Sequence, residues 1–437
     1  MRIAVIGTGI SGLAAGWLLD RHHEVHVFER EPRLGGHTHT VAVPRPGSDP
    51  GVASSAANRL DAAGDRGRLP VDTGFIVYNE ATYPALTALF EELEVETQES
   101  DMSWALRCER CDLEYAGNAK GIAAQPRNLL DPGYLRFLGD IARFNRLGRR
   151  LKDDPRTRNV PLGRFLRAAG FSDRFGEHYL IPMAAAIWSS GTGVIERFPL
   201  HTLLQFFHNH GLLGVSTHHQ WRTVTGGTAS YIPKLTAGYR DRIHTGDGVD
   251  TVERDRDGVT LRTASGESHR FDKVVIAAHA DEALGMLQDP SVLEKELLGE
   301  WHYSDNDTWF HTDESLLPRS AAARASWNYL LDDCRTPAEK VSLSYDMNRL
   351  QSIRGPKRYV VTLNPTREPA PETVLYRTTY THPGYTPESV STQQRLDELN
   401  GQQHTFYAGA YQRYGFHEDG LWSALRAVQH LGIRWPV

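Results

Sequence analysis

Three glycines, Gly7, Gly9 and Gly12, stand in the spacing G-x-G-x-x-G with Ile10 and Ser11 inside it, and an acid, Glu29, closes the next apolar run. The first glycine permits a tight turn, the second lets the backbone approach a pyrophosphate, and the third lets a helix pack close to a strand. The acid suits the two hydroxyls of an adenosine ribose. Together they point to a bound dinucleotide. Arg30 follows, and then the paired turn Gly35-Gly36 before His37-Thr38, which offers more backbone N–H groups to the same anion.

Such residues act only if the backbone holds them. Residues 2–6 read as a buried strand, 13–19 as a helix and 24–28 as a second strand. That order puts the unpaired N–H groups of a helix start at the phosphate. The lack of a second glycine fingerprint with its own helix argues against an NAD(P)H-driven disulfide reductase.

The chain has 437 residues, 40% hydrophobic and 23% charged, with a formal charge of −6. This length suffices for two or three domain-sized units, and the charge balance argues against a nucleic-acid binder. The apolar stretch around 179–188 is about half of the ~20 residues a membrane span needs. No basic, apolar and small-residue leader precedes the first strand, and three cysteines make no disulfide framework, so the expected location is the cytoplasm. Cys108 and Cys111 form C-x-x-C, but Cys334 is remote in sequence and no second pair follows. The reading is ordinary thiols and no metal.

The string Arg33-Leu34-Gly35-Gly36-His37-Thr38-His39-Thr40 resembles the R-x-G-G-R-x-x-[ST] of the glutathione-reductase-type FAD fold, specifically the flavin amine oxidase and phytoene desaturase superfamily. Similar to its later motifs are Val71-Asp72-Thr73-Gly74-Phe75-Ile76-Val77, Val224-Thr225-Gly226-Gly227-Thr228, the strand near Val249, 273–278, and 406–411 with 415–421. The resemblance implies an α/β fold, a Rossmann-like FAD-binding domain (1–80, 215–290, 401–437) interleaved with a mixed α+β substrate domain (81–214, 291–400). It implies non-covalent FAD held by the residues above together with Gly74, Phe75, Ile76, Val249, Gly409, Ala410, Asp419, Gly420 and Leu421. A helix beginning near Gly420, capped by Asp419, would point its positive end at the flavin. Three departures stand out: His37 replaces the usual arginine, Gly409-Ala410 replaces the usual ribityl-binding acid, and 304–311, aligned with the strand that carries the amine oxidases' lysine, has none.

The apolar segments 179–190 and 198–213 suit a greasy substrate better than a charged amine. Motifs such as Trp188-Ser189-Ser190 and Ser326-Trp327-Asn328-Tyr329 resemble a bacterial amine-oxidase-like subgroup associated with fatty-acid modification. The implied reaction is dehydrogenation of a lipid acyl chain or similar small apolar molecule. The alternatives are a peroxide-producing amine oxidase and a non-catalytic lipid binder. His417 and Glu418 are the first candidates for a base and His210 the second, each with a structural role as the alternative. Residues 134–152 form a basic amphipathic helix that would rest on anionic lipid or an acyl carrier, or else simply face solvent. The Pro- and Gly-rich stretch 44–70 reads as a flexible insertion, either lid or solvated loop.

Overall fold

The computed structural model describes residues 1–44, 68–214 and 219–435. The expected insertion over 44–70 therefore falls, but for its ends, outside the described residues.

Strand β1 (Arg2–Ile6) leads through the glycine turn into helix α1 (Ile10–Asp20) and on to β2 (Glu24–Glu29). A near-continuous apolar run belongs in a parallel sheet covered on both faces, and Ile3, Ala4 and Val5 are fully buried. The sheet is five-stranded and parallel, in the order Thr405–Tyr407, Lys273–Ile276, β1, β2, Ile243–Thr245. Its strands come from both ends of the sequence and from the middle. The final helix, His417–Gln429, packs on α1 at Gly420, where a Cβ would lie 2.7 Å from Ile10 Cγ2.

A second, seven-stranded sheet runs Val374–Pro383, Tyr303–His311, Val360–Leu363, Ser342–Asp346, Trp327–Leu331, Trp104–Cys108, Leu113–Ala116. It is antiparallel except where Trp327–Leu331 pairs with Trp104–Cys108. Helices between 132 and 209 cover it, burying a cluster that includes Tyr134, Phe137, Phe144, Phe175 and Phe207. The hairpin Thr40–Pro44 with Arg68–Asp72 and the pair Thr97–Ser100 with Trp221–Val224 lie between these units.

The basic helix spans Pro132–Leu151, started by Asp131, whose side chain accepts from Gly133 N–H. Two of its arginines tie it to its neighbours. Arg149 donates to the Leu213 carbonyl, and Arg143 lies 4.4 Å over the Phe171 ring. No helix among the described residues is long and apolar enough to cross a membrane.

Candidate active site

A single large cavity of about 1720 Å³ runs from the glycine turn to an aromatic chamber between the two sheets. At its first end, Gly7 adopts φ +98°, and a Cβ there would come 2.5 Å from the Ala277 carbonyl oxygen. Gly12 admits nothing larger, since its Cβ would fall 1.9 Å from the Gly7 oxygen. Gly9 differs: a Cβ there would meet no atom within 4 Å, because it points into the cavity. Gly9 precedes α1, so the unpaired N–H groups at Ile10 and Ser11 face the same space.

Around this turn the chain is cross-tied. Glu29 accepts from the Thr8 N–H (2.9 Å) and the Glu31 N–H (2.9 Å), which fixes its carboxylate at the cavity edge. Arg33 donates to the Gly36 carbonyl at 2.7 Å, bracing the second glycine turn from within. A Cβ on Gly36 would lie 3.1 Å from Gly9 Cα. Arg30 and Glu282 form an ion pair beside Val249, also on the wall.

Farther along, Gly74, Phe75 and Ile76 pass the cavity, and the Phe75 N–H donates to the His37 carbonyl. His37 is half-buried against Tyr380 and His382, and desolvation holds its imidazole well below the usual histidine range. Its Nε2 is buried with no hydrogen-bond partner. Gly409 and Ala410 complete this stretch of wall. Gly12, Gly35, Thr38, Asp419, Gly420 and Leu421 lie behind it. Thr38 meets the Tyr231 hydroxyl and His417 Nε2, while Gly35 donates to the Thr8 carbonyl at 3.0 Å.

The structure corrects several expectations at the C-terminal helix. The helix starts at His417, one turn earlier than expected, with Phe416 as the preceding cap residue. Its positive end is therefore the N–H groups of 417–419, and Asp419 acts from the third helical position by accepting from the Phe416 N–H at 2.9 Å. Burial raises the Asp419 carboxyl to about 7. Glu418 does not face the cavity. Its two oxygens accept from the Ala85 and Leu86 N–H groups (3.0 and 2.9 Å), so it caps the helix Pro84–Glu92. His417 does line the cavity, stacked on Phe75 with centroids 3.8 Å apart and bonded to the Tyr231 hydroxyl at 2.8 Å. Burial depresses it to about 3, which leaves the ring neutral near neutral pH. His210 stacks on Phe206 and holds the Phe206 carbonyl at 3.0 Å; burial brings it down to about 4.

The aromatic chamber is lined by Tyr179, Met183, Ile187, Trp188 and Phe206 from the expected helical segments. Phe207 and Leu213, expected alongside them, are core instead. The flavin-facing strand is also corrected. Within 304–311 no residue lines the cavity, whereas the neighbouring strand Val374–Pro383 presents Tyr376 and the run 378–383. Its partner strand turns to the core, burying Asn306, Thr308 and His311. Trp104, Trp221, Trp327, Tyr345 and Tyr385 complete the chamber and were not singled out from sequence as pocket residues. No lysine lines it among the described residues. Its acid, Asp101, is paired with Arg349 at 3.2 Å.

One further expectation fails. Cys334 does not stand apart from Cys108 and Cys111, because the parallel strand pair returns it beside them, together with His178.

Comparison with known proteins accords with this geometry. The family described as flavin containing amine oxidoreductase matches residues 10–319. Among solved structures, a CLA-producing fatty acid isomerase from P. acnes is similar at 15% identity and a TM-score of 0.64, with 98% of each chain covered. Cyclohexylamine oxidase from Brevibacterium oxydans IH-35A is similar at 16% identity and 0.65, with 99% of each covered. Wild-type putrescine oxidase bound to putrescine gives 12%, 0.62 and 99% of each. At such identities the likeness speaks for the fold. The chain also matches an uncharacterised protein of Methanocaldococcus jannaschii, 58% identical over 36 residues, spanning 9% of that protein's length and 8% of this chain.

Proposed function

This chain belongs to the family of flavin-containing amine oxidoreductases and is an FAD-dependent oxidoreductase; on that premise we propose that it oxidises an apolar, acyl-chain-like substrate in the aromatic chamber. The cavity suits FAD on three counts. It exceeds the roughly 300–1,000 Å³ of ordinary ligand sites, which leaves room for cofactor and substrate together. The space at Gly9 is what a pyrophosphate needs, and the orphaned His37 Nε2 is a buried polar atom awaiting a partner. FAD would be held non-covalently by the N–H groups at the start of α1, by Glu29 at the ribose, and by the backbone at 74–76, Val249 and 409–410.

When bound, FAD supplies the hydride acceptor. The chain's residues then bind, orient and exclude water. Trp188, Phe206, Tyr385 and Trp221 form an apolar enclosure, and the buried histidines stay neutral, so they supply no counter-charge to a cationic substrate. The observation that carries the reading is the absence, among the described residues, of an unpaired carboxylate around this chamber, since Asp101 is paired with Arg349. An ammonium group entering there would lose its hydration without a counter-charge. The likeness to two amine oxidases favours a second reading, amine oxidation.

Anaerobic mixing separates them. Acyl lipids should bleach the flavin and a panel of amines should not; bleaching by amines alone overturns the proposal. The basic helix extends the same idea. Leu138 and Ile141 line the cavity while Leu135 is exposed near Arg136, an arrangement suited to taking substrate from an anionic lipid surface.

A further inference from the structure

Cys108 ends the strand Trp104–Cys108 and is buried, and Cys111 sits in the following turn, which Asp112 closes with φ +51°. The pairing with Trp327–Leu331 continues past the strand, because Glu109 and Arg110 N–H groups donate to the carbonyls of Leu331 and Asp332. That continuation carries Cys334 back to the turn. From the opposite side, the single π-helical turn Gly176–Leu180 presents His178, 4% exposed, with Nε2 3.3 Å from Cys111 Sγ. One donor atom from each of the four residues lies within 4.8 Å of every other, and all three cysteines are free thiols.

We infer that Cys108, Cys111, Cys334 and His178 form a closed tetrahedral site for zinc. With bonds of about 2.3 Å to sulfur and 2.0–2.1 Å to nitrogen, a tetrahedron has edges of roughly 3.5–3.8 Å. The four donors need to draw together by no more than about 1 Å to reach it. Three thiolates and an imidazole select a soft or borderline ion over magnesium or calcium. Four protein ligands leave no open position, so the site is structural. The His178 Nδ1 is buried without a partner, which leaves the thiols as the ring's side-chain contacts. Binding exchanges thiol protons for the metal: up to three S–H bonds break, three Zn–S bonds and one Zn–N bond form, and the protons go to buffer. No oxidant or reductant takes part.

The site lies beside the substrate chamber. Tyr179, next to His178, packs edge-on against Trp104, and the Tyr115 hydroxyl donates to the His178 carbonyl at 2.6 Å. All three aromatics line the cavity. Zinc would pin the turn 109–112, the π-helical turn and the strand end together, and so hold one wall of the chamber.

The test uses the untagged holoprotein, purified anaerobically with a thiol reductant and no chelator, with zinc measured by mass spectrometry. About one zinc per chain is expected, falling to background in Cys334→Ser and in His178→Ala while flavin content reports that the variants fold. Cobalt grown into wild type should give thiolate-ligated tetrahedral bands to the red of the flavin absorption. A second measurement removes dependence on the variants: wild-type thiols should resist a thiol reagent until a chelator releases the metal. Wild type that holds no zinc and takes up none on titration overturns the inference, as does zinc retained by both variants.

Discussion

Gly9→Ala isolates ligand contact from folding. Gly9 has φ −61° and ψ 175°, values any residue adopts, and its Cβ position has no protein atom within 4 Å. The apo-protein should therefore be slightly more stable, by about 0.4–1 kcal/mol, because alanine restricts the unfolded chain. The added methyl group occupies the place where a phosphate must approach the N–H groups of α1. Losing one charge-assisted hydrogen bond costs roughly 1.5–3 kcal/mol, which is about 10- to 150-fold in Kd. FAD titration into apo-protein, followed by flavin fluorescence quenching, reads this directly, and a melting curve reads the fold. Gly12→Ala is the contrasting control: a Cβ 1.9 Å from the Gly7 oxygen forces helix from strand, so melting temperature and FAD binding should fall together. A folded Gly9→Ala protein with wild-type FAD affinity would refute the assignment of this turn to the pyrophosphate.

Two further outcomes follow from the C-terminal helix. Glu418→Ala removes the acceptor for Ala85 and Leu86 and should cost about 1–2 kcal/mol in thermal unfolding. Turnover per bound flavin should be unchanged; a large loss of turnover at unchanged stability would restore Glu418 as a catalytic group. Asp419, whose carboxyl burial raises from 3.8 to about 7, favours the fold fully below its unfolded value and loses that contribution as pH rises through about 7. Asp419→Asn should therefore gain melting temperature relative to wild type as pH rises from the unfolded value of 3.8 to the folded value of about 7. A difference independent of pH would contradict the buried, titrating carboxyl.

The sequence was legible where chemistry and backbone demand act on neighbouring residues. Gly7, Gly9 and Gly12 belong to one strand–turn–helix unit, in which Gly12 packs on Gly7 and Gly9 leaves open space, so their spacing reports the local geometry, although the Ala277 carbonyl that also constrains Gly7 is remote in sequence. The helices bearing Trp188 and Phe206 were legible as apolar faces. What sequence did not reveal was partnership at long range. Whether Glu418 looks into a cavity or onto another helix depends on Ala85, 333 residues away. Which of two adjacent strands faces the chamber depends on sheet order, which the residues of 304–311 do not encode locally. Cys334 and His178 join the C-x-x-C through a parallel strand pair and a π-helical turn, neither of which leaves a spacing signature.

Stopped-flow reduction of the flavin by a homologous series of acyl substrates tests the central claim most directly. Each added methylene buried in the chamber contributes about 0.8 kcal/mol, so the second-order rate constant for reduction should rise about fourfold per carbon until the chamber is filled. A rate constant indifferent to chain length, or one that is highest for short amines, would contradict it.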